Sequence, residues 1–197
     1  EIEAVTRRAA TLRDGSEGRS LLLRCDLGEF LVEGRLLGVC RDTRVVPRFS
    51  RLGRRAELAT WVEHLLMLSA VGASLPNETH LVLRGSDAEA DTVRYARVEN
   101  AQAELRKLVE LYARCRRAPL PIFERASRDF VEKERDKGVD AAIRVARTRF
   151  ENMRRYQKHL AFVVGPDDPF LDDAWTEAFA ESALELYSPM YDHRSES

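Results

Sequence analysis

Three short runs of Leu and Val follow one another so closely that only tight turns can join them. "SLLLRCDL" (20–27), "EFLVEGRLLGV" (29–39) and "TRVVPRF" (43–49) are separated by turns at Gly28 and Asp42. Such turns have no room for a crossover, so the three runs predict antiparallel neighbouring strands. What surrounds them sets the fold class. "EIEAVTRRAATLR" (1–13) reads as a helix ending at the turn "DGSEG". Residues 54–71 form an amphipathic helix with Leu58, Trp61, Val62, Leu65, Leu66 and Leu68 on its apolar face, and Gly72 is placed to stop it. "THLVLRG" (79–85) predicts a fourth strand apolar enough to be central, and "TVRYARV" (92–98) a weaker fifth.

The rest of the chain is helical in pattern. Helices are expected over 99–117, 124–136, 139–160 and 172–187. The prolines of "APLPIF" end the first, and "VVGPDDPFLDD" separates the last two. Asp172 or Asp173 is suited to cap the final helix. The expected organisation is one domain over 1–197, with a core over 1–98, a helical part over 99–191 and a mobile tail over 192–197.

Composition narrows the function classes. Of 197 residues, 44% are hydrophobic and 33% charged, which describes a soluble globular chain. Only four of the 32 basic residues are lysines. Codon bias and selection for bidentate phosphate contacts both explain that preference for arginine. Cys25, Cys40 and Cys115 form no CxxC pair, so neither a disulfide framework nor a zinc site is expected. Buried free thiols in a cytoplasmic protein are the default. No signal peptide or membrane-spanning run is seen, and no membrane contact is expected. The chain begins at Glu1 rather than Met, which reads either as a piece of something larger or as a trimmed chain.

The order αβββαβ with a mixed sheet is that of the PD-(D/E)xK nucleases, a fold-level analogy that says nothing about activity. Such enzymes hold Mg²⁺ with an acidic residue on the second strand and an acid-x-Lys pair on the third. Here the second-strand position falls near Leu36 and Leu37, and the third strand reads Val45-Val46-Pro47-Arg48-Phe49. The residues two before the four lysines are Leu105, Val131, Arg135 and Tyr156, so no acid-x-Lys pair exists. Asp26, Glu29, Glu33 and Asp42 lack the right partners. The metal place is expected to hold Leu37, Pro47 and Arg48, with Arg48 buried and repelling a cation. Pro47 is expected to turn its nitrogen away from the neighbouring strand or to sit at a bulge. No catalytic residue, metal or cofactor is therefore expected.

Other chemistry is thin. His64, His80, His159 and His193 have no metal-ligand spacing, and His64 beside Trp61 and Leu65 reads as a packed imidazole. No GxSxG, Walker A or GxGxxG motif is present. Basic stripes remain. Arg144, Arg147, Arg154, Arg155 and Lys158 fall within about 100° on an ideal helical wheel. They read either as a track for a phosphate backbone or as the solvated face of an amphipathic helix. Arg48, Arg51, Arg54 and Arg55 pose the same choice between docking and DNA. Trp61, Tyr112, Phe150, Trp175 and Phe179 read as core.

Several motifs in series resemble one known family. "VEGRLLGVCRDTRVVPRFSRL", then Trp61-Val62-Glu63-His64-Leu65 before Gly72, "ELYARCRRAPLPIF", "VARTRFE" and "LYSPMY" together resemble the C-terminal domain of the exodeoxyribonuclease V gamma subunit, the RecC family. The resemblance runs from about residue 20 to 191 and departs from the family pattern over 151–170. It implies a nuclease-like fold without catalytic residues, inside a heterotrimer that processes double-strand ends for homologous recombination. The implied partners are the beta (RecB-type) and alpha (RecD-type) subunits, double-stranded DNA ends and separated single strands. The family's subunit also takes part in recognising the Chi sequence. A pure protein–protein scaffold for the alpha subunit stays open, as does a nuclease with migrated catalytic residues.

Overall fold

A computed structural model describes residues 1–50, 54–70, 75–85 and 89–196, without the side chains of Arg54, Arg55 and Ala161. The described chain forms two compact units, Glu1–Glu110 with Met190–Ser197, and Leu111–Pro189.

The first unit is a mixed α/β layer structure. Helix α1 (Ile2–Arg13) leads into β1 (Arg19–Asp26), β2 (Leu31–Val39) and β3 (Arg44–Pro47). Helix α2 (Arg54–Ser69), β4 (Thr79–Arg84) and β5 (Ala90–Tyr95) follow, and β6 (Arg194–Glu196) returns from the far end of the chain. The strands form one sheet in the order β1-β2-β3-β4-β5-β6. Only β3 and β4 are parallel; every other neighbouring pair is antiparallel. Both short turns are built as their residues predict. Gly28, at φ 81, donates its N–H to the Asp26 carboxylate at 2.8 Å, and Cys40 N donates to Thr43 O at 2.9 Å.

Alternation along the strands sends residues to opposite faces of the sheet. Val45 and Val82 pack on one side against Val5 and Ala9 of α1. That helix ends where Asp14 (φ 45) and Gly15 (φ 72) turn left-handed. On the other side Thr79 and Tyr95 meet α2. Leu81, Val82 and Leu83 of β4 are fully buried on both faces, as a strand between two helical layers should be. The buried side of α2 is less apolar than its sequence pattern predicts. Glu57, Thr60 and His64 are enclosed there beside Trp61, while Leu58, Val62 and Leu68 are half-buried.

The tail is a further difference from expectation. Residues 194–196, expected to be mobile, pair with β5 as β6. Arg194 is held by an ion pair to buried Glu57, and His193 stacks on Trp61 at 6.0 Å between ring centroids. Of the thiols, Cys25 and Cys40 are buried, but Cys115 is exposed.

The second unit is helical. It takes in the end of α3 (Ala101–Arg117), then α4 (Glu124–Lys137), α5 (Val139–Tyr156), α6 (Lys158–Val164), a 3-10 turn over Pro169–Leu171 and most of α7 (Asp173–Asp192). Gly138, at φ 77, joins α4 to α5. Ala142, Ala146 and Phe150 recur at helical spacing on the buried side of α5. They meet an aromatic cluster in which Phe150, Phe170, Trp175 and Phe179 stand 4.9–6.0 Å apart by ring centroid. Asp172 caps α7 by accepting from Trp175 N at 3.1 Å. Tyr112, expected in the core, is 62% exposed. Among the described residues no helix is long and apolar enough to cross a membrane.

Candidate nucleic-acid interface

The hairpin β2–β3 opens almost as soon as it forms. Val39↔Arg44 is its single register pair, after which β3 continues beside β4 and β2 beside β1. Gly38 makes the split. The β1–β2 register slips by one residue near it, its φ is 74, and a Cβ there would lie 2.1 Å from Val45 O. Glycine alone lets the backbone of β2 pass that of β3 so closely.

The split holds a cavity of about 330 Å³. Leu37, Pro47 and Arg48 all line it, together with Arg13, Arg35, Arg44 and Glu63. Pro47 fits because of which way its neighbours point. Arg44 N and Arg48 N both donate towards the β4 side, to Glu78 O and Val82 O. Pro47, between them in alternation, turns its missing donor towards the open side.

The buried cation is not the expected one. Arg48 is exposed, while Arg44 is 2% exposed. Arg44 lies across the mouth of the hairpin. Its Nε donates to Leu37 O at 3.1 Å and its Nη2 pairs with Glu63 of α2. Among the described residues its Nη1 has no hydrogen-bond partner, and neither does the buried Nε of Arg13. Four arginines therefore face one carboxylate, already engaged. The strand sequence gives no hint of this, because a charge before two valines reads as a strand end until Glu63 is seen beside it. Among the described residues no group of three or more His, Cys, Asp or Glu could hold a metal ion.

Glu63 belongs to the Trp61–Leu65 motif, and the structure explains what that motif does. Trp61 is fully buried against Tyr95 and His193. His64 bridges α2 and the sheet: Nε2–H donates to Ala96 O at 2.9 Å, which leaves Nδ1 to accept from the Thr79 hydroxyl at 2.9 Å. Burial pushes its pKa down to about 4, so the imidazole is neutral. It packs, as expected, and carries no catalytic arrangement.

The second candidate surface is the arginine stripe of the helical unit. Here the helix expected over 139–160 divides. Helix α5 ends at Tyr156, Gln157 leaves helical geometry at φ −113 and ψ 83, and Lys158 begins α6. The wheel position computed for Lys158 therefore does not apply. The other four divide by environment. Arg147 pairs with Asp168, and Arg154 donates to Pro166 O at 2.9 Å and Asp167 O at 2.8 Å while pairing with Glu151. Arg144 and Arg155 are exposed and form no ion pair among the described residues, as does Lys158. Arg51 and the side chains of Arg54 and Arg55 lie outside the described residues.

The family model described as the RecC C-terminal domain matches residues 1–135, more than half of the chain. The chain belongs to the RecC C-terminal domain family. Membership makes it part of the RecC subunit of the RecBCD exodeoxyribonuclease V, a complex of DNA repair and recombination whose other subunits are RecB and RecD and whose substrate is DNA. No curated protein matches the chain.

Proposed function

We propose that this chain is a non-catalytic, PD-(D/E)xK nuclease-like domain that guides DNA and docks a partner subunit within RecBCD. Cleavage and ATP hydrolysis then belong to the other subunits. One observation carries the reading: buried Arg44 occupies the β2–β3 split, where a nuclease of this strand order needs carboxylates around Mg²⁺. Among the described residues Glu63 is the one carboxylate lining the split, and it is already paired with Arg44. The sheet supports the fold assignment, since β3 and β4 are parallel behind an antiparallel β1–β3 front. Arg144, Arg155 and Lys158 are the stripe residues free to meet a phosphate backbone, and Arg48 offers the same from the core unit. The test is Mg²⁺-dependent digestion of linear duplex by the purified chain. No cleavage is expected. Robust cleavage abolished by Asp26→Asn or Glu33→Gln would falsify the proposal.

A second reading, a scaffold for the RecD-type subunit without DNA contact, is favoured by a different surface. Phe162, Val163 and Leu171 are 91%, 69% and 72% exposed, an apolar display unusual for a solvated helical unit. Co-purification of the RecD-type subunit with the wild-type chain, and its loss in Phe162→Asp, is the expected result if this surface docks. Docking and DNA guidance then share one domain. A chain that captures the subunit and shows no salt-dependent DNA binding is a scaffold alone.

A further inference from the structure

We infer that the split between β2 and β3 is a binding site for a single phosphodiester group of a DNA strand, with the Arg44 guanidinium standing where a nuclease keeps its metal. The inference rests on the DNA-guiding reading above and gives it a specific contact. Burying a guanidinium is costly unless its donors are satisfied. Arg44 meets that cost only in part: Nε and Nη2 are engaged, and Nη1 is not. Arg13 lines the same cavity, and its Nε is likewise buried and without a hydrogen-bond partner among the described residues. A native fold rarely leaves two such groups beside one space without something to receive them.

The cavity favours a phosphate over other anions by size, charge and neighbours. About 330 Å³ admits a sugar-phosphate unit. Arginine presents donors in a planar fork that matches phosphate oxygens, and Arg35 and Arg48 add two more guanidinium groups at the rim. Glu63 offsets one of the four positive charges, so the lining keeps an excess of three that favours an anion. The next residue after Arg48, Phe49, is 55% exposed and offers an unstacked base an aromatic face. An extended single strand is therefore the better fit.

The experiment measures fluorescence anisotropy of a labelled oligothymidylate of about 16 nucleotides against the chain across a salt series. Arg48→Ala and Arg13→Ala are each expected to weaken binding about three- to tenfold and to lower the magnitude of the salt slope by about 0.7. Glu63→Gln is expected to bind tighter, because it removes the negative charge that competes with the phosphate for Arg44. A purely structural role for the Arg44–Glu63 pair would not produce that gain. Arg44→Met tests the central group, with Glu63→Gln added so that no carboxylate is left unpaired. If these variants bind like wild type while Arg144→Ala/Arg155→Ala loses affinity, the split is not the contact and the guiding reading survives. If the wild-type chain shows no salt-dependent binding, both fall. If Arg48→Ala spares DNA binding but abolishes capture of the RecB- or RecD-type subunit, the split receives a partner's carboxylate and the inference is overturned.

Discussion

Glu57 and Arg194 are 137 residues apart in sequence and form an ion pair of 2.9 Å, with Glu57 fully buried in α2 and Arg194 at the end of the chain. Burial opposes the charge on Arg194, but Glu57 and Glu196 outweigh it and hold the guanidinium above its ordinary pKa. The pair fixes β6 on the edge of the sheet. Arg194→Ala removes this partner from a buried carboxylate, which costs about 3 kcal/mol or more. Urea denaturation should show a lower midpoint, and β6 amides should lose hydrogen-exchange protection. Glu57→Gln in the same background should recover part of the loss, because a neutral amide is easier to bury. An unchanged midpoint in Arg194→Ala contradicts the role given to this pair.

That pair also shows where sequence reading stops. Strands β1 to β3 and their turns are legible because alternation and Gly28 or Asp42 are local features. The strand β6 is three polar residues without a period, and its place is set by a carboxylate in a distant helix. The same limit governs the cleft. Leu37, Pro47 and Arg48 lie close to the one hairpin turn in sequence, which makes their shared cavity legible. Arg44 and Glu63 are paired by tertiary packing, so the buried cation is misread as Arg48. The break at Gln157 is invisible for another reason: no Gly or Pro marks it.

Gly38 is the hinge of the β2–β3 split. At φ 74, with Val45 O 2.1 Å from where a Cβ would stand, alanine meets both backbone strain and a clash with main chain. Gly38→Ala should destabilise the first unit by about 2 kcal/mol or more. Gly138→Ala has open space around it and meets backbone strain alone, at φ 77 and ψ 173, which costs about 1–3 kcal/mol without the added clash. Thermal unfolding of the two variants should rank them in that order. Equal losses count against a close approach at Val45.

His64 ties stability to pH. Its folded pKa is about 4, below the ordinary 6.5, so between these values the unfolded state binds the proton more readily. The contribution is complete above pH 6.5 and is lost as pH falls towards 4. The full span is about 3 kcal/mol. Denaturation midpoints of wild type should fall between pH 7 and pH 5. His64→Gln should start less stable and lose this part of the slope. A parallel decline in both proteins would assign the pH dependence elsewhere.

The stripe on α5 should separate into two kinds of arginine. Arg154 holds the carbonyls of Pro166 and Asp167 and is 19% exposed, so Arg154→Ala removes charge-assisted bonds. A loss of about 1–2 kcal/mol in unfolding experiments is expected. Arg155 is exposed and forms no ion pair among the described residues, so Arg155→Ala should change stability by less than about 0.5 kcal/mol. Its effect belongs to binding: weaker association with forked DNA and a shallower salt dependence, with Arg144→Ala adding to it. If Arg155→Ala and Arg144→Ala leave both binding and salt slope unchanged, the exposed arginines are a solvated helix face and the guiding role passes to the β2–β3 split alone.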